Sequence, residues 1–105
     1  MRNLIHLDPR HVAELVRNGR AALVDIRTPE DFARGRPKGA VNRPLATLEP
    51  GGLNFPGQEV VFTCGTGLMS EMSAERLASA FRGEAFLLKG GLQAWAAAGL
   101  PLEEG

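Results

Sequence analysis

Three stretches of the chain, Ala21-Ala22-Leu23-Val24-Asp25-Ile26, Glu59-Val60-Val61-Phe62-Thr63 and Ala85-Phe86-Leu87-Leu88, are apolar runs with little polar alternation. A strand with one wet face alternates apolar and polar residues, so runs of this kind belong to strands covered on both faces. The segments between them carry helix signals. Asp8-Pro9 reads as an N-cap with proline at the first helical position, Val12, Leu15 and Val16 supply an apolar stripe, and Gly19 closes the helix. Thr28-Pro29-Glu30-Asp31 repeats the start signal, and a short helix through Phe32 and Ala33 is expected to stop near Gly35. From Ser70 onward the spacing predicts a helix with Ala74, Leu77, Ala78 and Phe81 on one face. After Gly90-Gly91, Leu92, Trp95 and Ala96 mark a last short helix, stopped by Gly99 and Pro101. Prolines and glycines between Pro37 and Gly57 predict mainly loop, apart from a short strand around Ala40-Val41. Strands alternating with helices predict an α/β domain with a largely parallel sheet and helices on both faces.

Size and charge narrow the functions. The 105 residues fit a single domain spanning 1–105. Twelve basic residues balance twelve acidic ones, so neither a nucleic acid nor a membrane surface is expected as a partner. The N-terminal half, residues 1–50, holds nine Lys/Arg against six Asp/Glu, and the rest holds three against six, without any block of like charge. The segment from Met1 to Pro9 has no apolar run of signal-peptide length, and the expected location is the cytoplasm. A lone cysteine, Cys64, excludes an internal disulfide, and with only His6 and His11 as further soft ligands no metal shell is expected.

That thiol sits at the carboxyl end of the Glu59–Thr63 run, where ligands of open α/β sheets bind. It is followed by Gly65-Thr66-Gly67-Leu68-Met69-Ser70, a segment whose backbone N–H groups and following helix can converge on one point and favour negative charge there. A buried structural cysteine is the competing reading, because free cysteine is among the most buried residue types. Spacing separates three anion-binding chemistries. A Cys-x5-Arg phosphatase loop would need arginine where Ser70 stands; a dinucleotide fingerprint is weakened by Ser70 in its third small position and by Lys89, rather than an acid, after the next strand; and no Gly-Lys-Ser/Thr of a P-loop follows.

Three motifs in order resemble the rhodanese, or sulfurtransferase, family. Leu23-Val24-Asp25-Ile26-Arg27 with Glu30-Asp31-Phe32, Gly35 and Gly39-Ala40-Val41-Asn42-Arg43-Pro44-Leu45 is similar to its N-terminal signature. Leu88-Lys89-Gly90-Gly91-Leu92-Gln93-Ala94-Trp95 with Ala98-Gly99-Leu100-Pro101 is similar to its C-terminal signature. Cys64 stands where the family carries its persulfide-forming cysteine, and the six-residue loop closing at Ser70 resembles the sulfur-handling members rather than the phosphatase branch. The resemblance implies a rhodanese-like three-layer α/β/α fold with a five-stranded parallel sheet and no cofactor. It also implies a reaction in which Cys64 takes a sulfane sulfur from thiosulfate or from a small or protein persulfide. Cyanide or a thiol such as thioredoxin then accepts it. The amides of Gly65, Thr66, Gly67, Leu68, Met69 and Ser70 would hold the terminal sulfur. The alternative is a catalytically weak rhodanese-like interaction module, since a fold does not guarantee its chemistry.

The chain departs from that pattern in charge. Gly65, Thr66, Leu68 and Met69 are uncharged where thiosulfate-active members often carry arginine or lysine, and Glu71 adds an acid, so the loop is expected to bind a dianion poorly. Arg27 is the candidate for restoring positive charge at the substrate, with Arg43 behind it. Arg36-Pro37 also replaces a common His-Ile pair. Other residues have packing roles: Trp95 in the core, Asp25 satisfying nearby backbone or Arg27, His11 facing solvent, Met72 filling a gap, and Met69 either filling a gap or forming an apolar rim to the pocket.

Overall fold

The computed structural model describes residues 4–105; Met1, Arg2 and Asn3, part of the stretch considered as a leader, lie outside the described residues. The elements are β1 (Ile5–Leu7), α1 (Pro9–Arg17), β2 (Ala21–Asp25), α2 (Pro29–Arg34), β3 (Arg36–Pro37), β4 (Val41–Asn42), a 3-10 turn (Leu45–Thr47), β5 (Glu59–Thr63), α3 (Leu68–Met72), α4 (Ala74–Ala80), β6 (Ala85–Leu88), α5 (Gly91–Ala97) and β7 (Leu102–Glu103). Five strands make one parallel sheet in the order β1-β6-β5-β2-β4, as the α/β reading requires. Both caps form as expected: Asp8 Oδ2 accepts from the Arg10 N–H at 3.0 Å, and Thr28 Oγ1 from the Asp31 N–H at 3.3 Å.

The unalternating runs have both faces covered. Val60 and Phe62 of β5 join Val24, Leu77, Ala80, Phe81 and Leu87 in one buried cluster, while Val61 joins Val12, Leu23, Leu88 and Trp95 in the other. Successive side chains of a strand point to opposite faces, so one β5 strand anchors α4 on one side and α1 with α5 on the other. The indole of Trp95 donates to the Pro101 carbonyl at 2.7 Å, which satisfies its one polar atom. None of the described helices is long and apolar enough to cross a membrane.

Several features differ from the sequence expectation. The helix read from Ser70 is two helices: α3 starts earlier, at Leu68, and Ser73 (φ −106°, ψ 13°) separates it from α4. One axis cannot both wrap the loop after Cys64 and lay Leu77, Ala78 and Ala80 against the sheet. Phe81 is extended rather than helical, yet still buried. Arg36–Pro37 and Leu102–Glu103 form a small antiparallel ribbon that no periodicity announced. The proline-rich segment is loop, but it packs: Leu48 and Leu53 are buried, and the Gly51 and Leu53 N–H groups donate to the Ser79 and Ala80 carbonyls at 2.8 and 3.0 Å. Met72 fills no gap, being 79% exposed.

Candidate active site

Register brings the carboxyl ends of β2 and β5 together. Asp25 pairs with Thr63, and the Ile26 N–H donates to the Thr63 carbonyl at 3.0 Å, so Cys64 leaves the sheet beside the Asp25–Arg27 segment. Cys64 is buried, and its Sγ accepts from two backbone donors, the Gly67 N–H at 3.1 Å and the Ser70 N–H at 3.5 Å. Amides aimed at sulfur favour negative charge on it. Because α3 has only five residues, this effect comes from those individual N–H groups and not from the dipole of a long helix.

The loop is held open around the sulfur from behind. The first turn of α5 donates to it: the Leu92 N–H to the Cys64 carbonyl at 2.8 Å and the Gln93 N–H to the Gly65 carbonyl at 2.9 Å. With those carbonyls tied outward, the amides of Gly67 and Ser70 are left for Sγ. This requires a very close approach at Gly91 (φ 61°), where a Cβ would stand 2.5 Å from the Cys64 carbonyl oxygen and 2.8 Å from the Gly67 nitrogen. Gly67 adopts a left-handed conformation (φ 92°) with Gly90 against it, the geometry that lets the chain reverse onto the sulfur. Sequence reasoning treated Gly90-Gly91 as a break before a helix; adjacent glycines opening the element after β6, the neighbour of β5, were the signal for a backbone contact.

The expected site residues separate by role. Gly67 and Ser70 reach the sulfur through their N–H groups, and Gly65 is tied to α5. Ser70 is 1% exposed and its Oγ is buried without a hydrogen-bond partner among the described residues. The Thr66 Oγ1 accepts from the Leu68 N–H at 3.4 Å at the outer edge of the loop. Leu68 and Met69 are 62% and 44% exposed, so Met69 fills no gap in the core. Arg27 is engaged elsewhere: its Nε and Nη2 bond the fully buried Asp25 carboxylate, closest at 2.8 Å, and Nη2 donates to the Gly35 carbonyl at 2.6 Å. The Arg43 side chain donates to the Asn42 carbonyl and is exposed.

A cation nonetheless borders the loop. A cleft of about 580 Å³ is lined by His6, Thr66, Gly67, Leu68, Glu71, Lys89 and Gly90. Lys89 follows β6, which lies beside β5, so its position next to the loop follows from strand order. In sequence it registered as part of the C-terminal signature and as a residue unable to hold a ribose, not as a neighbour of the loop.

Comparison with known proteins agrees with this arrangement. Residues 8–98 match the rhodanese-like domain. A sulfurtransferase of Allochromatium vinosum is 35% identical over 81 residues, covering 76% of this chain and 76% of that protein. The HTH-type transcriptional regulator Rv0324 of Mycobacterium tuberculosis is 35% identical over 98 residues, 89% of this chain, which spans only 43% of that protein's length. Among solved structures, a thiosulfate sulfurtransferase from Pseudomonas aeruginosa superimposes with a TM-score of 0.85 at 28% identity over 99% of this chain and 20% of its own. The parallel sheet, the cysteine loop after its central strand and these matches agree: the chain belongs to the rhodanese-like domain family, which includes named sulfurtransferases.

Proposed function

We propose that this domain is a sulfurtransferase that carries sulfane sulfur as a persulfide on Cys64. The observation that carries the reading is the pair of N–H donors, from Gly67 and Ser70, on the sulfur of the only cysteine. The Cys64 thiolate attacks the sulfane sulfur of a donor such as thiosulfate or a persulfide; the new S–S bond forms as the donor's bond breaks, and its electron pair leaves with sulfite or a thiolate. Charge then lies on the outer sulfur, while the Gly67 and Ser70 amides favour the Cys64 thiolate that attacks at the start and is released at the end of the cycle. The hydroxyl of Ser70, unpartnered and buried, is a further donor within the same loop. An external thiol such as thioredoxin, or cyanide, attacks that outer sulfur and releases Cys64; with no second cysteine in the chain, no internal thiol can resolve the persulfide.

Intact mass spectrometry after incubation with thiosulfate or inorganic polysulfide tests the proposal. The expected result is a gain of one sulfur, removed by reductant and absent in Cys64→Ser. The second reading, an interaction module with an incidental thiol, is favoured by the burial of Cys64 and by exposed Leu68 and Met72 nearby. No adduct with any sulfane donor would favour it over the enzyme.

A further inference from the structure

The cleft beside the cysteine loop has walls of opposite charge. Lys89 enters it from the end of β6 and Glu71 from α3, with the loop residues Thr66, Gly67 and Leu68 also lining it. Neither Lys89 nor Glu71 forms a salt bridge among the described residues. Gly67, which lines the cleft, also donates its N–H to the buried Cys64 Sγ at 3.1 Å, so the cleft and the sulfur share this residue. A sulfur dianion gains from Lys89 and is repelled by Glu71, whereas a molecule bearing both a carboxylate and an ammonium group can satisfy both walls at once.

We propose that the cleft lined by Lys89 and Glu71 selects small zwitterionic thiols and their persulfides, of the α-amino-acid type, as the molecules exchanging sulfur with Cys64. Lys89 pairs with the carboxylate and Glu71 with the ammonium. The inference rests on the persulfide reading above. In the unloading direction the zwitterion's thiolate attacks the outer sulfur of the Cys64 persulfide. An S–S bond forms to the incoming sulfur, the bond to Sγ breaks, and the electron pair returns to Cys64 as thiolate. Loading from the corresponding persulfide is the reverse, and no outside oxidant or reductant enters.

The test loads Cys64 with inorganic polysulfide, removes the excess, and follows single-turnover loss of the added sulfur by intact mass. Three thiols are compared: cysteine, carrying both charges; cysteamine, carrying only the ammonium; and 3-mercaptopropionate, carrying only the carboxylate. Each variant's rate is divided by the wild-type rate for the same thiol, which cancels the thiols' differing nucleophilicities. Lys89→Gln is expected to slow cysteine and 3-mercaptopropionate about two- to fivefold relative to cysteamine, the size typical of solvent-screened ion pairs. Glu71→Gln is expected to slow cysteine by a similar factor relative to 3-mercaptopropionate. High salt should erase both differences. Equal slowing of all three thiols, or none, with a protein that loads normally would overturn this inference and leave the persulfide reading standing. Failure of the wild type to load would overturn the persulfide reading and this one with it.

Discussion

At the scale of single residues, Asp25 and Arg27 are decided by burial. Asp25 is fully buried and its carboxylate accepts from both the backbone N–H and the guanidinium of Arg27, whose side chain keeps only 11% exposure. A buried pair is weak evidence of net stability, but removing one partner leaves an uncompensated charge. Arg27→Ala is therefore expected to lower unfolding free energy by ~3–5 kcal/mol, read from urea denaturation. Arg27→Lys should recover only part of the loss, because an ammonium cannot reproduce the planar fork. If Arg27→Ala keeps its stability while its thiosulfate KM rises, the guanidinium serves substrate rather than Asp25. The spacing of Asp25 and Arg27 made their pairing legible in sequence. The carbonyl of Gly35, which completes the guanidinium's bonding, comes from the far end of α2 and was not.

At the scale of elements, the cysteine loop is a joint construction of β5, α3 and α5. The Leu92 and Gln93 N–H groups hold its outer carbonyls, so the sulfur's environment depends on how closely α5 approaches. Gly91→Ala would place a methyl carbon 2.5 Å from the Cys64 carbonyl at a φ of 61°. Left-handed strain in a non-glycine residue costs ~1–3 kcal/mol, and backbone on the far side cannot yield as a flexible side chain would. The expected outcome is a drop of that order in stability together with slower sulfur loading by the folded fraction. An unchanged loading rate in Gly91→Ala would show that the loop keeps its shape without α5. The break at Ser73 belongs to this scale too. The apolar positions Leu77 and Ala78 were correctly assigned to the core side, whereas Ala74 is only half-buried, and periodicity cannot reveal that the preceding turn is tied to a sulfur through the Ser70 N–H.

For the whole molecule, β5 connects the two halves of the core. Phe62 is fully buried in the cluster that includes α4, and Val61 is fully buried in the cluster formed with α1 and α5. Truncating a buried phenylalanine costs ~3–5 kcal/mol, which rivals the ~5–15 kcal/mol that holds a typical domain together. Phe62→Ala should shift the urea midpoint sharply downward with little change in slope, whereas Met72→Ala, at 79% exposure, should stay within ~0.5 kcal/mol of wild type. Equal effects of the two substitutions would contradict the assignment of β5 as the central strand. The same strand ends at Cys64, so the core and the site share one element.

The sequence by itself determined the layers and the candidate thiol. Apolar runs without alternation demanded covering on both faces, cap and proline signals placed α1 and α2, and one cysteine before a glycine-rich loop left a single candidate for the chemistry. These properties are local, set by side-chain period and backbone preference within a few residues. Tertiary structure alone decided which distant groups meet. Lys89 borders the loop because β6 lies beside β5, the Gly35 carbonyl meets the Arg27 guanidinium because the far end of α2 folds back to it, and Gly91 reaches Cys64 because α5 packs its first turn onto the loop. Each of these contacts joins segments separated in the chain, and its geometry depends on strand order and packing distance, which no local pattern encodes.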